Sequence, residues 1–213
     1  MYRQMFLTCS GKFAAQIIIF LQCFLYHSLS SFAITYKDIK AELGRANVVP
    51  DVIDKAPKND IEIRINGTSI DLGTRLDLNS LIKPPEVLEW EVQRHGMYTL
   101  IVTGPDVPSW DEPFEREYMH WQIVNIPGKN YTQGETLVTY VGSQFCCNPG
   151  THRMVYTVWK QPQSKPMNFS EERHIDERTH YLRRACFNTR KFAKKYNMTL
   201  WAANFLIAEC YIE

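Results

Sequence analysis

Neither sign of charge prevails in this chain of 213 residues: 24 Lys and Arg meet 23 Asp and Glu, for a formal net charge of +1. That balance leaves no basic stripe for nucleic acid and no acidic tail, so electrostatics points to no partner. Metal-ligand spacings are missing as well, with no C-x-x-C and no H-x-x-x-H, and nothing calls for a metal or a cofactor. The G-x-S-x-G elbow of an α/β-hydrolase is absent too, because "VGSQF" lacks the second glycine, and no nucleophile pattern accompanies any candidate base; no enzyme is expected. Internal repeats and low-complexity linkers are also lacking, so nothing divides the chain. With 45% hydrophobic and 22% charged residues, one globular domain large enough to bury a full core is the expectation.

A clean membrane-spanning run is the last absence. "FAAQIIIFLQCFLYHSLSSFA" is apolar but interrupted by Gln16, Gln22 and His27, and falls short of the ~20 apolar residues a spanning helix needs. Arg3 and Lys12 precede it, no acid does, and small residues Ser31 and Ala33 follow, which is the pattern of a secretory signal peptide over residues 1–33. Cleavage after Ala33 leaves 213 − 33 = 180 residues, one domain over 34–213, with a charge of +1 − 2 = −1 and no stable membrane span. Four N-x-S/T sequons, at Asn66, Asn130, Asn168 and Asn197, agree with a secreted, extracellular glycoprotein. Of six cysteines, Cys146, Cys147, Cys186 and Cys210 remain, an even count that favours disulfides in an oxidising compartment. Their pairing is open among three connectivities, including a vicinal Cys146–Cys147 bridge.

What is present is mostly strand. "TYKDIKAELGRANVVPDVI" starts as a short helix around residues 36–44, stopped by Gly44 and Pro50. "DIEIRI", "SIDLGTRLDL", "EVLEWEV", "YTLIVT", "HWQIVNI" and "HRMVYTVWKQ" are short β-branched or aromatic runs bounded by turn residues, and they indicate an all-β-dominated antiparallel sandwich. Helix returns late, over "DERTHYLRRACFNTRKFAKKYNM", where Arg190, Lys191 and Lys194 read as a solvated face around an apolar one of Phe187, Phe192 and Tyr196. "TLWAANFLIAECYIE" closes the chain as a core strand.

Between the runs "YTLIVT" and "HWQIVNI" lies more chemistry than a connection needs. Pro105 and Pro108 flank Asp106 and stiffen it at a strand end, and His120 opens the next strand. Strand alternation sets His120 and Gln122 on one face, Trp121 and Ile123 on the other. Later "YVGSQFCCNPGTHRMVY" delivers Gly150, His152 and Arg153 at the head of another strand. Histidines near neutrality can donate to an anion, and Asp106 can fix a ring tautomer or meet an ammonium group. Trp110 and Trp121 read as packing residues, Trp110 the more exposed, while His95, His174 and His180 carry no such pattern.

"TGPDVPSWDEPFEREYMHWQIVNIPG" followed by "YVGSQFCCNPGTHRMVYTVWKQ" resembles the two signature segments of the phosphatidylethanolamine-binding protein family, D-P-D-x-P with a downstream His strand and G-x-H-R. "NVVPDVIDKAP", "KPPEVLEWEV" and "FNTRKFAKKYNM" extend the resemblance over most of the chain. It implies a Greek-key β-sandwich of two antiparallel sheets with a few short peripheral helices, and a small pocket at one end for phosphate-like or phospholipid-headgroup anions, without catalysis. Carried over, Asp106, Pro108, His120, Gly150 and His152 correspond to pocket residues, Tyr118, Tyr140, Val141 and Gly142 to its wall and rim, and Arg116 and Arg153 to braces. This chain departs at Gly104, where the motif opens with Asp, at Phe145 and Cys146, where the rim carries Pro-Pro, and at Met154, where an aromatic follows His-Arg. It also ends soon after "AECYIE", without the C-terminal helix of many animal members, which implies a more open mouth. The alternative function is a protein-interaction module, a protease inhibitor or signalling modulator, contacting its partner through that altered rim.

Overall fold

A computed structural model of the chain describes residues 36–142, 149–175 and 183–211, all within one compact unit, Thr35–Glu213. Residues 1–35, where the signal peptide is expected, the expected rim residues Phe145, Cys146 and Cys147, and His180 lie outside the described residues.

The first helix, α1 (Tyr36–Arg45), carries Asp38 in its first turn and Arg45 in its last, matching the helix dipole, and buries Ile39 and Leu43 one turn apart. A one-turn helix, α2 (Val48–Asp51), follows. Strand β1 (Ile61–Ile65) shows the alternation that "DIEIRI" predicts, with Ile61, Ile63 and Ile65 inward and Glu62 and Arg64 outward. Next come β2 (Thr68–Ser69), β3 (Thr74–Asp77) and β4 (Val87–Trp90). The longer strands are β5 (Met97–Gly104), β6 (Tyr118–Pro127), β8 (Gly150–Lys160) and β9 (Thr199–Cys210), with β7 (Glu135–Val138) on the edge. Helix α3 (Thr189–Lys195) lies in the second half of the segment where the pattern predicts helix, and residues 176–182 of that segment lie outside the described residues.

The strands form a three-stranded sheet, β2-β1-β4, and a six-stranded sheet, β3-β9-β8-β5-β6-β7. Their facing sides share one core that joins Ile61, Ile63, Leu88 and Trp90 to Leu100, Val102, Trp121, Met154, Tyr156 and Leu206, so the predicted sandwich is present. One pairing departs from antiparallel: β3 runs parallel to β9, with Thr74 opposite Leu206. Strand β5 is buried along its whole length because both faces of the large sheet are covered. Met154, read from the sequence as a rim position, is instead a core residue at 1% exposure, its sulfur accepting a hydrogen bond from the Tyr156 hydroxyl at 3.3 Å. Strand alternation turns it into the sandwich with Tyr156 and Val158, so it contributes nothing to an apolar rim.

Candidate functional site

The two histidines come together at one end of the sandwich through an irregularity in β6. Val102 pairs with Trp121 and Thr103 with Met119, so His120 is the extra residue of a bulge. The expected alternation therefore breaks at this position. Trp121 still enters the core, but the bulge also turns His120 toward Gly104, where a Cβ would stand 2.8 Å from the His120 Nε2. His152 reaches the same region from β8, on the face that carries Met154.

Each ring is held by a main-chain carbonyl. His120 Nδ1 lies 2.8 Å from the Val141 oxygen, and His152 Nδ1 lies 2.8 Å from the Asp106 oxygen. A carbonyl only accepts, so in both rings Nδ1 carries the proton when the imidazole is neutral, and on His120 the Nε2 lone pair faces Gly104. His120 is 2% exposed, and burial is the main reason its pKa falls to about 4; the Val141 hydrogen bond opposes this, while Arg184 and His152 nearby push further down. The ring is thus neutral at pH 7, with an acceptor toward the site rather than a cation. An anion that carries its own proton, such as a phosphate monoanion, can donate to that nitrogen; a fully ionised one needs an imidazolium to form.

The residues expected to wall the pocket are held by their own contacts. Tyr140 donates from its hydroxyl to the Leu81 oxygen at 2.8 Å and sets its ring edge-on to Trp121 at 5.5 Å. Gly142 passes so near the same segment that a Cβ would stand 2.1 Å from the Leu81 oxygen, which only glycine allows. Val141 between them is 6% exposed, and its N–H donates to the His120 oxygen at 2.9 Å, closing a reciprocal pair with the ring contact. Tyr118, 3% exposed, stacks edge-on against His120 at 5.2 Å. Gly150 is exposed and starts β8 at φ +133°, a region that disfavours side chains, while Pro108 is half-buried in the loop beyond Asp106.

Asp106 is fully buried, but its carboxylate turns away from His120. It accepts from the Arg153 backbone N–H at 2.8 Å and from Arg153 Nε and Nη2 at 2.9 and 2.5 Å. Arg153 also donates to Asp51 at 2.9 Å and to the Ala46 oxygen at 2.8 Å, and Trp110, 43% exposed, lies over its guanidinium at 4.0 Å. Arg116 donates to the Pro105 oxygen at 2.7 Å and stands 3.7 Å from Asp106. Both arginines therefore brace the loop, as the resemblance implies, and the side chain of Asp106 is one of the things they brace. Its contribution toward His152 comes from its carbonyl.

Two groups at the site escaped sequence reasoning. Arg184, 1% exposed, donates to the carbonyls of Met119 and Thr139 at 3.3 and 2.9 Å, flanking the bulge; its neighbour Arg183 is exposed and pairs with Glu172, and no sequence pattern separates the two. Glu117, 2% exposed, accepts from the Thr103 hydroxyl at 2.9 Å and from the Thr189 N–H and hydroxyl at 3.0 and 2.6 Å, joining the end of β5 to the start of α3. Burial raises its pKa, although those hydrogen bonds and Arg190 oppose the rise.

Cys186 and Cys210 carry free thiols in the structure, Cys186 exposed and Cys210 half-buried opposite Gly150; the other two disulfide candidates lie outside the described residues. Asn66, Asn130, Asn168 and Asn197 are all exposed, as an acceptor of sugar must be. Among the described residues no cluster of His, Cys, Asp or Glu could hold a metal ion, and no helix is long and apolar enough to cross a membrane.

A family model described as phosphatidylethanolamine-binding protein matches residues 64–205. A 26 kDa secreted antigen of Toxocara canis is 30% identical over 162 residues, 75% of this chain, and the matched region spans 60% of the antigen's length. A phosphatidylethanolamine-binding protein from Plasmodium vivax shares 22% identity and superposes with a TM-score of 0.66 over 80% of this chain and 97% of its own. A carboxypeptidase Y inhibitor, solved with its cognate proteinase, shares 21% identity with a TM-score of 0.69 over 87% of this chain and 100% of its own. These two likenesses are likenesses of fold.

Proposed function

Because the chain belongs to the phosphatidylethanolamine-binding protein family, we propose that it is a secreted, non-catalytic binding protein that takes a small phosphate-bearing anion, such as a phospholipid headgroup, beside His120 and His152. The observation that carries this reading is the pair of buried rings, each with Nδ1 held by a carbonyl, meeting at the space left by Gly104. Tyr118, Tyr140, Val141, Gly142 and Gly150 wall that space, and Asp106 and Pro108 shape its loop.

Residues 1–33 act as a signal peptide and 34–213 as one domain in this reading, with sugar on the four exposed sequons and a disulfide involving Cys146 or Cys147. The relative named as a secreted antigen supports the export route. Titration of the secreted protein with phosphoethanolamine and with inorganic phosphate, followed through the His120 and His152 ring resonances, tests the ligand. Shifts at millimolar ligand or below are expected, and silent rings would remove the ligand while leaving the fold.

A second reading is favoured by Phe114, 71% exposed on the same loop as Trp110. An aromatic pair beside the site suits a protein partner, and a protein named as a carboxypeptidase inhibitor shares the fold. Loss of partner capture on Phe114→Ala, with phosphate binding intact, would separate this role from the first.

A further inference from the structure

Away from the histidines, a cavity of about 420 Å³ opens between α3 with the turn that follows it, Trp159 of β8 and Asp54, within the size range of small-molecule sites. Its walls divide by chemistry. Trp159, Ala193 and Met198 are buried and give it an apolar floor; the Trp159 indole N–H is already donated to the Thr157 hydroxyl at 2.9 Å, so the ring offers the cavity no donor. The rim carries Arg190, Lys191 and Lys194.

These three cations are not equivalent. Arg190 donates to Asp54 at 3.0 Å and to the Pro50 oxygen at 3.1 Å, and Asp54 is the acid that lines the cavity. Lys191 and Lys194, one helical turn apart, are exposed, and neither ammonium group makes an ion pair or hydrogen bond among the described residues. Lys195, next along the same helix but outside the cavity, is paired with Glu171 at 2.7 Å. The helix thus neutralises its outward lysine and leaves uncompensated the two that overlook an apolar floor. A solvated face, the reading that sequence favours, also leaves lysines exposed and unpaired; what it does not include is the apolar floor beneath these two.

We propose that this cavity is a second ligand site, which takes a small amphiphilic anion: an acidic head, carboxylate or sulfonate, between Lys191 and Lys194, with an apolar body on Trp159 and Met198. Charge complementarity selects the head, and the floor selects against a bare inorganic anion. Asn197, the fourth sequon, also lines this cavity, so a sugar there would narrow its mouth.

The secreted full chain and its Asn197→Gln variant are titrated with 1-anilinonaphthalene-8-sulfonate, an aromatic sulfonate whose emission is read by excitation through tryptophan. Binding is expected in Asn197→Gln whatever its strength in the glycosylated chain. The pair Lys191→Glu and Lys194→Glu should weaken it at least tenfold in that background, whereas His120→Asn should leave it unchanged. Displacement by decanoate should need several-fold less competitor than displacement by hexanoate, since roughly each added methylene gains apolar burial. An affinity within twofold of the parent after both charge reversals, displacement by inorganic sulfate as readily as by decanoate, or loss of binding in His120→Asn would each overturn the proposal. The last result would place the dye at the histidine pair, and the phosphate titration of that pair is unaffected by the other two.

Discussion

Acidification should destabilise this protein chiefly through one ring. His120 titrates at about 4 in the folded chain, against about 6.5 for a free histidine, because burial removes the water an imidazolium needs and Arg184 and His152 add positive charge nearby. A histidine with a lowered folded pKa binds its proton more readily in the unfolded chain. Stability is therefore undiminished above pH 6.5 and falls as the pH drops from there toward 4, with a limiting slope of about 1.4 kcal/mol per pH unit. Integrated from pH 7 to pH 4.5, the loss is about 2.5 kcal/mol, or roughly 5–10 °C in Tm for a chain of this size. His174, whose pKa burial also lowers, adds to the loss, while Glu117, whose pKa burial raises, works against it. The His120→Asn variant isolates the ring's share, since an Asn amide can still donate to the Val141 oxygen and the cost of the smaller side chain does not depend on pH. Urea unfolding of both proteins at pH 7 and pH 4.5 gives the difference directly. Equal losses in the two proteins would refute the account of a neutral, desolvated His120.

Three further outcomes follow from the same geometry. Binding of a phosphate monoester at the histidine pair should strengthen as pH falls from 7 toward about 6 and then level off, because the monoanion that can donate to the neutral His120 Nε2 becomes the main species near its second pKa of about 6; isothermal titration in buffers of different ionisation enthalpy reads the proton taken up above that pH. Gly104→Ala sets a Cβ 2.8 Å from His120 Nε2, so the ring must give way, at a cost of about 1–3 kcal/mol and with a shifted His120 resonance; an unmoved resonance would count against the close approach. Asp106→Ala leaves the buried Arg153 with only Asp51 as acidic hydrogen-bond partner and should destabilise by about 3–5 kcal/mol, far more than a surface carboxylate would, as measured by denaturant midpoint.

Glu117 shows how narrowly the site depends on contacts remote in sequence. Its three accepted hydrogen bonds come from Thr103 and Thr189, separated by the strands that carry both histidines. In the chain it reads only as one more acid in "FEREY", and the same is true of Arg184 beside Arg183. A charge destined for burial has no local signature, because burial is a property of what packs over it.

Much of the rest was legible in one dimension. Alternation in "DIEIRI" and the β-branched runs determine strand content, and proline-bounded loops mark the strand ends where His120, His152 and Asp106 gather. These follow from side-chain period and backbone restriction, which act between neighbours along the chain. Tertiary structure alone decided that β6 bulges at His120 and turns it toward Gly104, that the Asp106 carboxylate belongs to Arg153, and that Met154 is core rather than rim. It also decided that Lys191 and Lys194 overlook a cavity. Each is a matter of register between strands or of which elements meet across the fold, and register is set by pairing partners far away in sequence.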